Sequence, residues 1–294
     1  MKAKNLTEAI INYQTALQLN PDLPPNFYKK LGDAYKQAGE IEEAISTYQS
    51  AIELNPKNLN LKTDLKLQLG RAQWLYQNYD LALNHFSEAK ELSPQRIDVK
   101  IATANILIEL KRFAEAETAL QEVLSLSENH LVAWLKLAEI QRKQGDQVAA
   151  LESFEIAGQN HPEDLRPHLS QVEVLIALNR INEAESKLNF LLEKYPDDGR
   201  VLIRQGILER QRNAREKALS WFRLAEKNPF NPQQKLAAQK HIVEELQVLG
   251  SREEALTLIQ EIIQDNPDDM NARMMLANFQ RQKFDFTAAV ETYQ

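Results

Sequence analysis

The fold is decided by residues 97–232, which divide into four segments of equal length: IDVKIATANILIELKRFAEAETALQEVLSLSENH (97–130), LVAWLKLAEIQRKQGDQVAALESFEIAGQNHPED (131–164), LRPHLSQVEVLIALNRINEAESKLNFLLEKYPDD (165–198) and GRVLIRQGILERQRNAREKALSWFRLAEKNPFNP (199–232). An alanine recurs every 34 residues, as Ala116, Ala150, Ala184 and Ala218. Four residues after each alanine stands a large apolar residue, namely Leu120, Phe154, Leu188 or Phe222. Self-similarity at a fixed period of this length is the signature of a repeat array.

The segment at residues 25–58 shows how each repeat is expected to fold. One helix face is formed by apolar or small residues at i, i+3, i+4 and i+7, namely Tyr28, Leu31, Gly32 and Tyr35. Gly39 then breaks that helix, and a second apolar face of the same period follows. Pro56 ends the second helix, because proline cannot continue one. Each repeat is therefore predicted to be two helices of about 13 residues, roughly 20 Å long.

The alanine register extends over the whole chain, through Ala9, Ala44 and Ala82 before the central segments and Ala255 and Ala289 after them. It predicts a single array over residues 1–294, with full repeats at 25–58, 63–96, 97–130, 131–164, 165–198, 199–232 and 236–269. Partial repeats are predicted at 1–22 and 270–294. Residues 59–62 and 233–235 are extra to the register and are predicted to be loops between repeats.

This pattern resembles the tetratricopeptide repeat (TPR), a family with a 34-residue signature. The matching residues are Trp134-x-x-Leu137-Ala138 in one repeat, and Leu31-Gly32-x-x-Tyr35, Ala44-x-x-x-Tyr48 and Pro56 in another. The resemblance covers nearly the whole chain. It implies an all-α, right-handed solenoid, that is, a superhelix of antiparallel helix pairs.

On most first helices a small residue stands where the second helix is expected to approach most closely. These residues are Gly32, Gly70, Ala104, Ala138, Gly206 and Ala277. Two repeats depart from this rule, because Val172 and Val243 stand in the same place. The spacing of the helices is expected to widen there.

Composition and motifs exclude several classes of function. The chain has no cysteine, a net charge of −7 and no apolar run long enough to span a bilayer. Acidity argues against nucleic-acid binding. Metalloprotease, phosphate-loop and serine-hydrolase motifs are absent, and the five histidines are scattered. We therefore predict a non-catalytic, cytoplasmic protein with no cofactor, no metal site and no membrane segment.

The family resemblance also implies where a partner would bind. In TPR proteins the first helices line a concave groove, and residues 2, 5, 9, 12 and 13 of each repeat usually face it. Carried over to this chain, with the charged neighbours of those positions, the resemblance implies a partner-binding groove made of Leu67, Arg71, Trp74, Ile101, Asn105, Ile108, Leu135, Lys136, Glu139, Arg142, Arg166, Leu169, Glu173, Ile176, Arg200, Ile203, Arg204 and Arg210.

Two interpretations of these residues remain open. In the first, the residues at position 5 pack against the neighbouring repeat, and the arginines form a solvated face. In the second, an apolar stripe takes apolar side chains of an extended or helical peptide while the arginines pair with its carboxylates. Trp74 is the best anchor candidate, since binding hot spots are enriched in tryptophan and arginine, although it also suits the core between repeats.

Three functions are compatible with such an array. The leading one is a protein–protein interaction scaffold whose partner carries apolar and acidic side chains. The main alternative is the substrate-selecting or dimerising arm of a larger enzyme, such as a bacterial glycosyltransferase or sulfotransferase. RNA binding by helical repeats is a third.

The two ends of the chain carry apolar residues where a solenoid normally has a polar cap, namely Leu6, Ile10, Tyr13 and Leu17 at one end and Phe284, Phe286, Val290 and Tyr293 at the other. These ends suggest a piece of a longer chain. They also predict end-to-end self-association.

Overall fold

The computed structural model describes residues 2–20 and 22–282, and the side-chain surroundings of residues 5–20 and 22–281. Every regular element within these residues is an α-helix, so the all-α prediction is confirmed. The helices are α1 (Lys2–Leu19), α2 (Pro25–Ala38), α3 (Ile41–Glu53), α4 (Leu59–Leu75), α5 (Tyr79–Leu92), α6 (Ile97–Glu109), α7 (Phe113–Leu126), α8 (Leu131–Gln144), α9 (Gln147–Asn160), α10 (Leu165–Ala177), α11 (Ile181–Lys194), α12 (Gly199–Gln211), α13 (Arg215–Lys227), α14 (Pro232–Val248), α15 (Arg252–Asp265) and α16 (Met270–Gln282). None of these described helices is long and apolar enough to cross a bilayer.

The chain forms two compact units, Met1–Gly145 and Asp146–Gln294. Unit 1 holds α1–α8 and unit 2 holds α9–α16. Within each unit every helix packs against the next one along the chain. The prediction that residues 1–294 form one continuous array stays a prediction.

The first helices of neighbouring repeats also touch one another. In unit 1 α2 contacts α4 and α4 contacts α6, and in unit 2 α10 contacts α12 and α12 contacts α14. Among the described residues, successive second helices make at most marginal contacts. The first helices therefore lie on the tighter side of each unit, which we call the inner face, and the second helices form the outer face.

The prediction that residues 59–62 and 233–235 are loops is wrong. Residues 59–62 form the first turn of α4, where the Asn58 side chain accepts a hydrogen bond from the Leu61 N–H at 3.1 Å. Residues 233–235 belong to the first turn of α14, where Asn231 accepts from the Gln234 N–H at 2.9 Å. Three or four residues are about one turn of an α-helix. These first helices are therefore lengthened, and both reach 17 residues.

The turn between the two helices is the same in every full repeat. One residue lies in the left-handed region, with φ between 58° and 90°, at Gly39, Gln77, Lys111, Gly145, Asn179, Asn213 and Gly250. In repeat 97–130 the Lys111 N–H donates to the Ile108 carbonyl at 3.0 Å, and the Arg112 N–H donates to the Leu107 carbonyl at 2.8 Å. This pair of bonds satisfies the last carbonyls of the first helix, as in a Schellman motif.

Lys111 is a strained occupant of this turn, because a Cβ is disfavoured in the left-handed region. We expect Lys111→Gly to raise the free energy of unfolding by about 0.5 to 1 kcal/mol, since glycine adopts that region freely. The lysine side chain is exposed, so no packing is lost. Urea unfolding of the full chain measures the change. The matched control, Gly39→Ala, should lower the stability by a similar amount, and a loss in both variants would contradict this account.

Helix pairs approach most closely where a glycine of the first helix faces a ring of the second. A Cβ added at these glycines would lie 2.5–2.6 Å from a ring atom, in the pairs Gly32–Tyr48, Gly70–Phe86 and Gly206–Phe222. All three rings are fully buried. Glycine is therefore required at these positions by the size of its partner.

Valine on the first helix is matched by a smaller residue on the second. Val172 and Val243 are fully buried, and sixteen residues later stand Leu188 and Ile259, also fully buried. The same step separates each glycine from its ring. The added methyl groups of valine are thus offset by the loss of an aromatic ring, which removes the reason to expect wider helix spacing.

The apolar residues near the N-terminus pack inside unit 1. Ile10 is buried in a core cluster with Leu31, and Leu6, Tyr13 and Leu17 pack against that cluster. The ring of Tyr13 meets the ring of Phe27 edge to face, with centroids 5.0 Å apart. At the other end, the expected apolar residues Phe284, Phe286, Val290 and Tyr293 lie outside the described residues.

Candidate partner-binding face

The predicted residues of α4 lie along one line on the inner face, because i, i+4 and i+7 share a helix face. Leu67 is 1% exposed and belongs to the core of unit 1. Trp74 is half-buried, and its indole N–H donates to Glu109 Oε2 at 2.6 Å, which joins α4 to α6. Arg71 stands between them. It is half-buried and donates no hydrogen bond to a described residue.

The charge of Arg71 acts on groups from both neighbouring repeats. Hydrogen bonds from Arg96 are the main cause that lowers the pKa of Asp98, and the Arg71 charge lowers it further. Burial is the main cause that lowers the pKa of Lys36, and the positive charge of Arg71 adds to the effect. Arg71 therefore contributes a positive potential to this part of the inner face.

The predicted site residues of α6 also lie along one line on the inner face, and they are apolar except for one amide at the centre. Ile101 and Ile108 are half-buried and pack against the core while keeping part of their surface in solvent. Asn105 lies between them, and its Oδ1 atom is shielded from solvent with no hydrogen-bond partner among the described residues. An unpaired polar atom of this kind costs about 1–3 kcal/mol. The amide therefore has an unused hydrogen-bonding capacity.

The predicted site residues of α8 are more polar and more exposed than those of α6. Leu135 and Lys136 are half-buried, and Glu139 and Arg142 are exposed. Glu139 forms an ion pair with Lys143 at 3.0 Å on the same helix. Within unit 1 the apolar part of the inner face is thus centred on α6.

In unit 2 the predicted apolar residues are mostly core. Leu169 and Ile203 are each 5% exposed, and Ile176 is half-buried. Like Leu67, the first two have almost no surface to offer a partner. The apolar stripe expected at residue 5 of five repeats is therefore reduced to Ile101 and Leu135, and the first of the two interpretations describes the others.

Two predicted arginines of unit 2 are held at helix starts. Asp164 caps α10 by accepting from the Arg166 N–H at 2.9 Å, and its carboxylate also pairs with the Arg166 guanidinium at 2.6 Å. Asp198 and Arg200 repeat this arrangement on α12 at 2.8 and 2.7 Å. The Arg166 guanidinium is the main cause that lowers the pKa of Asp164. Burial would raise the pKa of Asp198, but hydrogen bonds from Arg200 outweigh burial and lower it.

The other two predicted arginines link neighbouring repeats. Arg204 on α12 pairs with Glu173 on α10. Arg210 on α12 pairs with Glu244 at 2.8 Å and also with Glu245, both on α14. Each of the four arginines is thus already paired with an internal carboxylate. Their role in partner binding stays a prediction.

Glu245 is the centre of a buried charge network in unit 2. Its side chain is 0% exposed, and it accepts from Arg210 Nε and from Arg215 Nη1. The guanidinium of Arg210 lies 5.0 Å from the centroid of the Phe222 ring. His241 stacks on the same ring with centroids 4.8 Å apart. The network ties α12, α13 and α14 together.

Ion pairs between neighbouring repeats were not anticipated from the sequence. Besides the pairs of Glu244 and Glu245, five join residues 27 to 32 positions apart: Lys90–Glu122, Glu163–Lys194, Glu173–Arg204, Glu185–Arg212 and Arg223–Glu254. The separation in these five pairs is slightly less than one repeat because each side chain reaches back or forward to the adjacent helix pair. Two further pairs, Asp64–Arg96 and Lys240–Asp269, join a first helix to the last residue of its own repeat. Opposite charges at this spacing are the signal that could have found them.

Comparison with known proteins identifies the family. Models described as tetratricopeptide repeat match residues 25–58, 73–140, 132–164, 169–232 and 243–294. The chain is a tetratricopeptide repeat protein. This confirms the resemblance and the TPR solenoid class expected from it.

Individual TPR relatives are distant. A peroxisomal targeting signal receptor of Candida albicans is 27% identical over 128 residues, which is 41% of this chain and 20% of the receptor. The chain thus spans about a fifth of the length of the curated relatives it matches.

Solved TPR structures resemble this chain in fold alone, because their sequences are only distantly similar to it. The crystal structure of yeast Tom70 aligns with a TM-score of 0.65 and 15% identity, over 99% of this chain and 88% of that one. A tetratricopeptide repeat protein from Parabacteroides merdae aligns with a TM-score of 0.58 and 16% identity, over 83% and 93%. Among the residues of this TPR array that the structure describes, no group of three or more His, Asp or Glu side chains is arranged to hold a metal ion.

Proposed function

We propose that this protein is an interaction scaffold, and that the inner face of unit 1 binds an extended segment of a partner protein with apolar and acidic side chains. One contrast carries the proposal. Arg71 donates no hydrogen bond to a described residue and Asn105 leaves its carbonyl unpaired. The predicted arginines of unit 2 are instead occupied by internal carboxylates.

The groups on this face match the chemistry of a peptide. The planar guanidinium of Arg71 can donate two parallel hydrogen bonds to a carboxylate. The amide of Asn105 can accept from and donate to a peptide backbone after a side-chain rotation that brings its shielded Oδ1 to the surface. Ile101, Ile108 and Leu135 supply half-exposed apolar surface for side chains of the bound segment. The segment would cross α4, α6 and α8, because these first helices carry the groups.

A relative supports a role in recognition. The Candida albicans protein that matches 41% of this chain is named a targeting signal receptor. Its matched segment is part of a protein that recognises a signal, and we extend that kind of activity to the inner face of unit 1.

Selection from a phage-displayed peptide library against the full chain tests this function. We expect the selected peptides to carry an acidic residue near apolar ones. Arg71→Ala and Ile108→Asp should each weaken their binding about tenfold or more, because each removes a central contact. Circular dichroism should show unchanged helix content.

Matched controls for both variants lie in repeat 97–130, which also contains Ile108. Arg112→Ala changes an exposed arginine, and Leu126→Asp changes a partly exposed leucine on the second helix α7. Both should leave the affinity unchanged. Peptides whose binding survives Arg71→Ala and Ile108→Asp would refute the assignment to the inner face.

A further inference from the structure

The outer face of unit 2 contains an open cleft between the second helices α9 and α11, with the first helix α10 as its floor. Its volume is about 440 Å³, within the range of ligand-binding clefts. The lining includes Glu155, His168, Gln171, Leu175, Lys187 and Phe190. The cleft belongs to the face opposite the first-helix surface, so it is separate from the site proposed above.

Two of these residues are polar at positions where most other repeats carry a different kind of residue. Gln171 is the seventh residue of its repeat, where four of the other six full repeats have Leu31, Leu69, Leu137 and Ile242, one has Thr103, and the following repeat also has a glutamine, Gln205. Lys187 is the twenty-third residue, where the other full repeats have Thr47, His85, Ala119, Ser153, Trp221 and Leu258. A buried glutamine and a half-buried lysine therefore replace residues that pack helices together, and both line one cleft.

Neither polar side chain is satisfied within the described part of the chain. Gln171 is 1% exposed, and its Nε2 donates to the Phe154 carbonyl at 2.7 Å while its Oε1 has no partner. Lys187 makes no hydrogen bond or ion pair with a described residue. Burial lowers the pKa of Lys187, and the negative charge of Glu155 offsets only part of this effect. Such groups destabilise a helix pair unless something outside the pair uses them.

The floor of the cleft is held in place by close helix contact. A Cβ at Gly158 of α9 would lie 2.9 Å from Gln171 Nε2 and 2.9 Å from His168 Cε1. The helices cannot move closer to cover the unpaired groups. Burial lowers the pKa of His168, so neutral imidazole is favoured and Lys187 is left as the cation of the cleft.

We infer that this cleft is a second binding site, for a peptide segment that carries one carboxylate beside an apolar side chain. The carboxylate accepts from the Lys187 ammonium group. The apolar side chain covers the ring of Phe190, which is 59% exposed. Gln171 Oε1 accepts from a donor of the segment or from a water molecule enclosed beneath it. The negative charge of Glu155 at the rim disfavours a second carboxylate.

Three probes test the site in the full chain by heteronuclear NMR: N-acetyl-Leu-Glu-Leu-amide, its glutamine counterpart and sodium hexanoate. We expect the glutamate peptide to shift the resonances of Gln171, Lys187 and Phe190. It should bind about tenfold or more tightly than the glutamine peptide, because one charge-assisted hydrogen bond is lost. Hexanoate binding as tightly as the glutamate peptide would overturn the assignment to a peptide.

Variants separate this site from the inner face. Lys187→Met should remove the preference for glutamate over glutamine and raise the melting temperature, because a half-buried charge is removed. Lys217→Met, an exposed lysine on α13, should change neither. Arg71→Ala should leave the binding of these probes unchanged. No shift at Lys187 with the glutamate peptide, or an undiminished preference in Lys187→Met, would overturn the inference.

Discussion

Replacing Gly206 by valine is expected to lower the free energy of unfolding by about 3 kcal/mol, at the upper end of what overpacking costs. The Cβ alone would lie 2.5, 2.7 and 2.8 Å from three ring atoms of Phe222. That ring is fully buried, so it cannot turn into solvent. Urea unfolding followed by circular dichroism measures the loss, and the array should populate partly unfolded states if only unit 2 is affected.

A second substitution should recover part of this loss. Phe222→Leu in the Gly206→Val background recreates the combination that Val172 and Leu188 already form in the preceding repeat. We expect the double variant to be about 1 kcal/mol or more stable than additivity predicts, since neighbouring residues couple. Gln211→Val is the control on the same helix. It is exposed and should cost only about 0.5 kcal/mol of helix propensity. Strict additivity would contradict the volume argument.

Replacing Glu245 by leucine is expected to destabilise unit 2 by about 3 kcal/mol, because breaking a buried ion pair leaves an uncompensated charge. Glu245 is fully buried and holds both Arg210 and Arg215. Arg210 keeps Glu244 as a partner, and Arg215 is about one-third exposed and can turn toward water. Because both arginines can be accommodated in this way, the expected loss of unfolding free energy is at the lower end of the range for buried ion pairs.

Removing both charges should be far less harmful than removing one. Arg210→Met combined with Glu245→Leu replaces a buried pair by apolar side chains of similar size, which is often close to neutral. Glu244→Leu is the matched control on the same helix. Its side chain is 44% exposed, and the change should cost less than about 1 kcal/mol. If the double variant were as unstable as Glu245→Leu alone, the buried charge would not be the cause of the loss.

The helix pairs could be predicted from the sequence because two independent constraints have the same period. A buried alanine recurs on the second helix of every full repeat, and a turn residue in the left-handed region recurs between the two helices. Both follow from close packing, so they appear in the sequence as small residues and as Gly or Asn. Gln77 and Lys111 hide the turn signal, and there only the register of the neighbours predicts the turn.

The structure of the extra residues could not be predicted by counting them. The sequence shows that four residues at 59–62 and three at 233–235 exceed the period. Counting does not reveal whether they extend a helix or form a loop. Asn58 and Asn231 decide this, because their side chains cap helices that begin before the first residue of the repeat register.

The candidate site was predicted only as a set of helix faces. Spacing assigns Leu67, Ile101 and Leu169 to one position of the repeat, but it does not give their depth, which depends on the size of side chains in the neighbouring repeat. The arginines can be read from the sequence, but the carboxylates that pair with them cannot, because these lie either two residues or about one repeat away. Asn105 and Arg71 become distinctive only when the hydrogen bonds of the fold have been assigned.

The lengthened first helices α4 and α14 limit how a unit of this kind can change its size. Each residue added to an α-helix rotates everything before it by about 100°. Adding three or four residues restores nearly the original orientation, while adding one or two would carry apolar side chains into water. Short duplications at the start of a first helix can therefore accumulate without disturbing the core of the unit that contains it.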